Sequence, residues 1–213
     1  MHQVPLDDLR AVLFDLDGTL LDSFQSHLAI YQATLAPFGI DLTAAAFREH
    51  YSPNWSEFYR RVGLASEHWD AASVSWLRQA STHRSRPFPG VVAALRRLRA
   101  RFQLGLVTSG SRSRVEADLT RSGIATFLAV VVTADDVREP KPAPEGLHTA
   151  LRSLGIPASQ ALYVGDTEPD FELSRAAGVG FVGVVSGFSR PRPRKEYVQL
   201  SAVTELPAFL GTA

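Results

Sequence analysis

Two kinds of hydrophobic pattern alternate along this chain. The first is the short uninterrupted apolar run: "AVLFD" (Ala11 to Asp15), "FQLGLV" (Phe102 to Val107), "FLAVVVT" (Phe127 to Thr133), "ALYVG" (Ala161 to Gly165) and "VGFVGVV" (Val179 to Val185). Runs without polar alternation predict strands covered on both faces, as in a parallel sheet. The second is the amphipathic segment with helical spacing. "RSRVEADLTRSG" follows a possible cap at Ser111 and stops at Gly123. "PEGLHTALRSLG" opens on Pro144 and stops at Gly155, and "EPDFELSRAAG" stops at Gly178. The order β-α-β-α-β predicts an α/β fold with a doubly wound parallel sheet.

One region departs from this alternation. From Leu20 to Arg86 no strand pattern is evident, but helical patterns are. They are "SFQSHLAIYQATLAPFG", "LTAAAFREHY", "NWSEFYRRVG" and "SEHWDAASVSWLRQASTHR". The expected organisation is an α/β core formed by 1–19 and 87–213, with an all-helical cap, 20–86, inserted after the first strand. Trp55, Trp69 and Trp76 are expected to fill the core of the cap. "RPRPRK" (Arg190 to Lys195) reads as a solvated basic turn.

Composition narrows the chemistry. The chain has 213 residues, with 22 Lys+Arg against 22 Asp+Glu and a formal net charge of +0. That balance suggests neither bulk nucleic-acid binding nor attachment to an anionic membrane. There is no cysteine, which excludes disulfide and thiolate chemistry. No apolar run approaches membrane-spanning length, and "MHQVPLDDLR" lacks the apolar stretch of a signal peptide, so a cytoplasmic protein is expected. Only Lys141 and Lys195 are lysines. A chain that writes its other basic positions as arginine keeps a lysine where a compact charge is needed.

In doubly wound sheets, ligands bind beyond the carboxyl ends of the strands. The polar residues at those ends form a coherent set here. The first strand runs into Asp15 and Asp17, two like charges whose crowding needs a positive partner. The second runs into Thr108, Ser109 and Gly110, and "ALYVG" runs into Asp166, with Asp170 a helical turn later. Lys141 lies in the loop before a helix. This set suits phosphoryl transfer. Asp15 can attack phosphorus, and Asp17 can act as general acid and then base. Asp15, Asp166 and the backbone carbonyl of Asp17 meet the demand of Mg²⁺ for oxygen ligands, with Asp170 in the outer shell. Thr108, the amides of Ser109 and Gly110, and Lys141 can bind the phosphate. Taken singly, Asp17 also reads as a turn residue and Asp166 as a helix cap.

The segments "DLDGT", "VTSG", "KPAP" and "VGDTEPD", in this order, resemble the four motifs of the haloacid dehalogenase superfamily. With a helical cap between the first two, the chain is similar to the subgroup holding phosphoglycolate phosphatases and β-phosphoglucomutases. The tail, "GVVSGFSRP" then "AVTELPAFL", resembles that subgroup's last strand and closing helix. The resemblance implies a core of strand order 3-2-1-4-5 and the same roles for Asp15, Asp17, Thr108, Lys141, Asp166 and Asp170. A carboxylic acid at Asp17 argues against a dehalogenase, and a lysine-free cap argues against Schiff-base phosphonate cleavage. The expected function is Mg²⁺-dependent hydrolysis of a small phosphate monoester, phosphoglycolate-like or another small phosphometabolite. A phosphosugar mutase is the alternative, for which Arg48, His50, Arg60 and Arg61 are possible cap cations. His27, Arg48 and Asn54 are candidate cap contacts to substrate. The expected partner is a small phosphorylated metabolite, with the chain a monomer or homodimer.

Overall fold

The computed structural model describes residues 7–188 and 195–212; the first six residues, Ala213 and most of the "RPRPRK" turn lie outside them. A six-stranded sheet is built from β1 (Ala11–Phe14), β4 (Gln103–Val107), β5 (Val130–Val132), β6 (Ala161–Gly165), β7 (Gly180–Val184) and β8 (Val198–Leu200). Its spatial order is β5-β4-β1-β6-β7-β8, and every pairing is parallel. The core order 3-2-1-4-5 that the resemblance implies is therefore present, extended at one edge by β8. The sequence reading missed that strand because "VQL" is short, lies at the sheet edge and is only partly buried.

The uninterrupted apolar runs have a simple cause. Successive strand side chains point to opposite faces, and both faces are covered. Val12 and Phe14 enter one hydrophobic cluster with α5 (Val91–Arg99), α6 (Arg112–Ser122) and α9 (Leu206–Phe209). Ala11 and Leu13 enter the opposite cluster with α7 (Glu145–Leu154) and α8 (Glu168–Ala177). Each fully buried leucine or phenylalanine contributes about 1.5–3 kcal/mol to this packing. The helices α6, α7 and α8 end at Gly123, Gly155 and Gly178, as their stop signals predict.

Between β1 and α5 the longer elements are all helices: α1 (Phe24–Leu35), α2 (Ala44–His50), α3 (Trp55–Arg61) and α4 (Trp69–Ala80). These helices share a third cluster, which includes Phe24, Tyr31, Phe47, Phe58 and Tyr59. Phe188, on the loop after β7, joins this cluster and packs edge-on to Phe24. Two short strands flank the helical segment. β2 (Leu21–Asp22) pairs antiparallel with β3 (Arg86–Pro87), so the chain leaves and rejoins the α/β layer through one two-stranded ribbon. Two residues per strand are too few to show a hydrophobic period, which is why the sequence reading found no strand there.

Candidate active site

Register brings the site to one rim. Phe14 stands beside Leu106 on one flank and Val164 on the other, so Asp15, Thr108 and Asp166 leave adjacent strands at the same edge. The Asp15 amide donates to the Val164 carbonyl at 2.9 Å, and the Thr108 amide to the Val132 carbonyl at 3.0 Å. Carboxylate oxygens of Asp15, Asp166 and Asp170 all lie within 4.8 Å of one another, and all three residues are buried. Residues 15 and 166, far apart in sequence, thus come close enough to share an ion.

Asp170 has two jobs. Its Oδ2 accepts from the Thr167 amide (3.0 Å) and hydroxyl (2.5 Å), closing a capping box at the start of α8. Its Oδ1 accepts from Lys141 Nζ at 2.8 Å and from the Tyr163 hydroxyl at 3.2 Å. The cap of that helix is therefore Thr167, not Asp166. Thr19 donates to Asp166 Oδ1 at 3.3 Å, and Ser186 donates to its other oxygen. Lys141 also donates to Asp15 Oδ1 at 2.5 Å. Its loop is fixed by Glu145, which accepts from the amides of Arg138 and Glu139 at 2.9 and 3.0 Å.

The electrostatics show a shortage of positive charge. Burial pushes the Asp15 carboxyl up to about 7, and Asp170 and Asp17 add to the rise against the pull of Lys141. Burial, then Asp170 and Asp15, drive Asp166 well above the usual carboxylate range. Burial opposes the charge on Lys141, but Asp15 and Asp170 outweigh it and keep the lysine protonated. Ionised together, as a metal would require, the three clustered carboxylates face one ammonium, a deficit of two charges. An all-oxygen donor set with that deficit fits a hard divalent cation such as Mg²⁺.

Asp17 sits in a different environment. Arg114 of α6 grips both its oxygens, at 2.6 and 3.2 Å, and His27 Nε2 of α1 lies 3.4 Å away. Burial favours the neutral acid, yet Arg114 and His27 together hold this carboxyl well below the usual range. Arg114 also donates to Asp118 at 3.2 Å, a residue one turn further along α6. The sequence reading missed Arg114. The signal available was its place one turn into the helix that follows the Thr108 loop, where a guanidinium faces the same rim.

Two glycines mark close approaches. A Cβ on Gly110 would lie 2.1 Å from an Arg114 nitrogen. Gly18 has φ +82°, and a Cβ there would lie 2.4 Å from Asp166 Oδ2. Gly18→Ala is therefore expected to cost about 1–2 kcal/mol of stability from the left-handed backbone. It is also expected to lower kcat/KM about 10²-fold by displacing Asp166. Thermal unfolding and steady-state kinetics of the variant check both.

The rim opens into a cavity of about 320 Å³. Asp15, Asp17, Thr108, Ser109, Gly110, Lys141 and Asp170 line it from the α/β side. Ser111 lines it too, and among the described residues the buried hydroxyls of Ser109 and Ser111 have no hydrogen-bond partner. From the helical side come His27, Tyr31, Tyr51, Trp55, Tyr59 and Trp76. The "REHYSPNWSEF" segment lines the cavity through Tyr51, Ser52, Pro53 and Trp55. Arg48 and Asn54, also expected to touch substrate, do not line it. Arg48 donates to the Gly187 carbonyl at 2.9 Å and lies 4.3 Å over the Phe24 ring. Asn54 caps α3 by accepting from the Ser56 amide at 3.1 Å. Of the tryptophans, Trp69 and Trp76 pack against the helical cluster as expected, and the other departs from that expectation. Trp55 is 49% exposed and lines the cavity, and Trp76 lines it as well as packing in the helical layer.

These features have relatives. The family model for haloacid dehalogenase-like hydrolases matches residues 12–184. A phosphoglycolate phosphatase of Yersinia pseudotuberculosis is 32% identical over 192 residues, spanning 85% of this chain and 83% of that protein. Pyrophosphatase PpaX of Bacillus velezensis is 34% identical over 196 residues, spanning 83% of each. The solved structure of a haloacid dehalogenase-like family hydrolase from Streptococcus pneumoniae superposes with a TM-score of 0.84 at 21% identity, spanning 95% of this chain and 99% of that one. The chain belongs to the haloacid dehalogenase-like hydrolase family. It is an enzyme, a phosphatase of that family. Among the described residues no helix is long and apolar enough to cross a membrane.

Proposed function

We propose that the chain hydrolyses a small phosphate monoester with Mg²⁺, through an aspartyl-phosphate on Asp15. The observation that carries this reading is the meeting of Asp15, Asp166 and Asp170 with Lys141 at one rim, two charges short of neutrality. Asp15, Asp166 and the backbone carbonyl of Asp17 would hold Mg²⁺, which when bound neutralises the acids and polarises the phosphoryl oxygens.

A carboxylate oxygen of Asp15 attacks phosphorus while the ester P–O bond breaks. Thr108, the amides of Ser109 and Gly110, and Lys141 hold the equatorial oxygens. Asp17 gives a proton to the departing alkoxide. It then takes one from the water that attacks phosphorus and breaks the bond to Asp15. The carboxylate form favoured by Arg114 and His27 suits this second half. For the first half Asp17 has to take up a proton against the pull of Arg114, which keeps Asp118 as its ionic partner. In the same reading the helices of 20–86 form a cap over a core of 1–19 and 87–213. The β2–β3 ribbon supports that division as the junction. The mutase alternative lacks support in the cavity wall. Of Arg48, His50, Arg60 and Arg61, none lines it, and the last two both bind Glu57.

The test is turnover of p-nitrophenyl phosphate and a panel of phosphate monoesters with and without EDTA. Chelation is expected to lower kcat about 10²–10³-fold, corresponding to several kcal/mol of charge stabilisation. Readdition of Mg²⁺ should restore it. Turnover that is indifferent to metal overturns the reading.

A further inference from the structure

The helical side of the cavity has a largely aromatic lining. Tyr31, Tyr51, Trp55, Tyr59, Trp76 and Leu77 form its wall. Tyr31 and Trp76 stand 5.9 Å apart between ring centroids, and Trp55 and Tyr59 stand 5.6 Å apart. Among the described residues the buried indole Nε1 of Trp76 has no hydrogen-bond partner.

Charge in the lining points the same way. Among the described residues it holds four carboxylates, Asp15, Asp17, Asp135 and Asp170, against two permanent cations. Neither cation is available to a second anion. Lys141 is bound to Asp15 and Asp170, and Arg114 to Asp17 and Asp118. A carboxylate or second phosphate on the leaving group would be desolvated among aromatic rings with no free counter-charge, which is costly. A flat uncharged ring would instead gain stacking and apolar burial. The volume of about 320 Å³ also falls within the range of about 300–1,000 Å³ of pockets that take ring-sized ligands.

We infer that the preferred substrates are monoesters whose leaving group carries an uncharged aromatic or heteroaromatic ring, with Trp55 and Trp76 as specificity-determining residues. The inference rests on the phosphatase reading. It separates this chain from the phosphoglycolate phosphatases it resembles, whose named substrate carries a carboxylate on the leaving side.

The experiment compares three primary-alkyl monoesters with the Mg²⁺-loaded enzyme: benzyl phosphate, ethyl phosphate and phosphoglycolate. Their leaving alcohols are similar, so differences report the pocket rather than the chemistry. The expected order is benzyl phosphate first, with kcat/KM about tenfold or more above the other two, the fold-change of one good ring stack. Trp76→Ala should bring the ratio of benzyl to ethyl phosphate down to about one. Trp55→Ala, at a half-exposed position that tolerates truncation, should lower it in the same direction. Phosphoglycolate turned over faster than benzyl phosphate overturns the inference and leaves the phosphatase standing, as does a ratio that neither tryptophan variant moves. Hydrolysis of none of the three overturns both.

Discussion

Asp15→Asn is expected to lower kcat by at least about 10⁴-fold while leaving the protein folded. The size follows from what is removed. A nucleophile that acts together with its neighbours carries most of the rate enhancement, and deleting one can cost about 10⁶-fold. Asparagine has nearly the shape of aspartate, but its amide oxygen does not attack phosphorus. Thr108, the Ser109 and Gly110 amides, Lys141 and Asp166 all remain, and together they set the residual rate. Folding should survive, because the backbone bond from residue 15 to Val164 stays and Lys141 keeps Asp170 as a partner. The variant also has one fewer carboxylate in a crowded cluster. Its stability without metal is therefore expected within about 1 kcal/mol of wild type. Steady-state kinetics and thermal unfolding measure both quantities. Acid-quenched wild-type enzyme should carry a phosphoryl group on Asp15 by mass spectrometry, and the variant should carry none. An asparagine variant within tenfold of wild type would remove Asp15 from the chemistry.

Much of this site was legible in the sequence because its residues follow apolar runs directly. Asp15, Thr108 and Asp166 each end a buried strand, so a single rule about strand ends located them. Lys141 stood out because the chain has so few lysines. Legibility failed where position depends on packing between distant segments. Arg114 reads as one arginine among several on a solvated helix, and only the folded chain brings it to Asp17. Tyr31 and Trp76 carry the spacing of core residues, and both are in fact packed in the helical layer. That they also form the cavity wall depends on how the helices sit over the rim. Arg48 and Asn54 show the converse. They lie near the correct loop, but a nearer carbonyl and a helix start claim them. In the fold, β2, β3 and β8 were missed because two or three residues at an edge carry no period.

The second large effect is expected at Lys141. Lys141→Met keeps most of the side-chain volume and removes the charge. In the metal-free protein it leaves Asp15 and Asp170 buried without their cation, and breaking such a pair costs about 3–5 kcal/mol. Catalysis should suffer as well, since a cation facing the transferring phosphoryl group contributes about 10²–10³ in kcat. The two losses separate by metal dependence. Mg²⁺ offsets part of the charge deficit, so the gap in melting temperature between variant and wild type should narrow when it is added. The kcat deficit should persist at saturating Mg²⁺. Lys141→Arg is not expected to rescue. The ammonium sits 2.5 and 2.8 Å from two carboxylates and 5.4 Å from the Tyr163 ring centre, in a buried space matched to a compact charge. A planar guanidinium would have to displace one of those groups. A methionine variant as stable as wild type without metal would show that Lys141 is not the counter-ion of this cluster, and the two-charge deficit that argues for a divalent cation would have to be counted again.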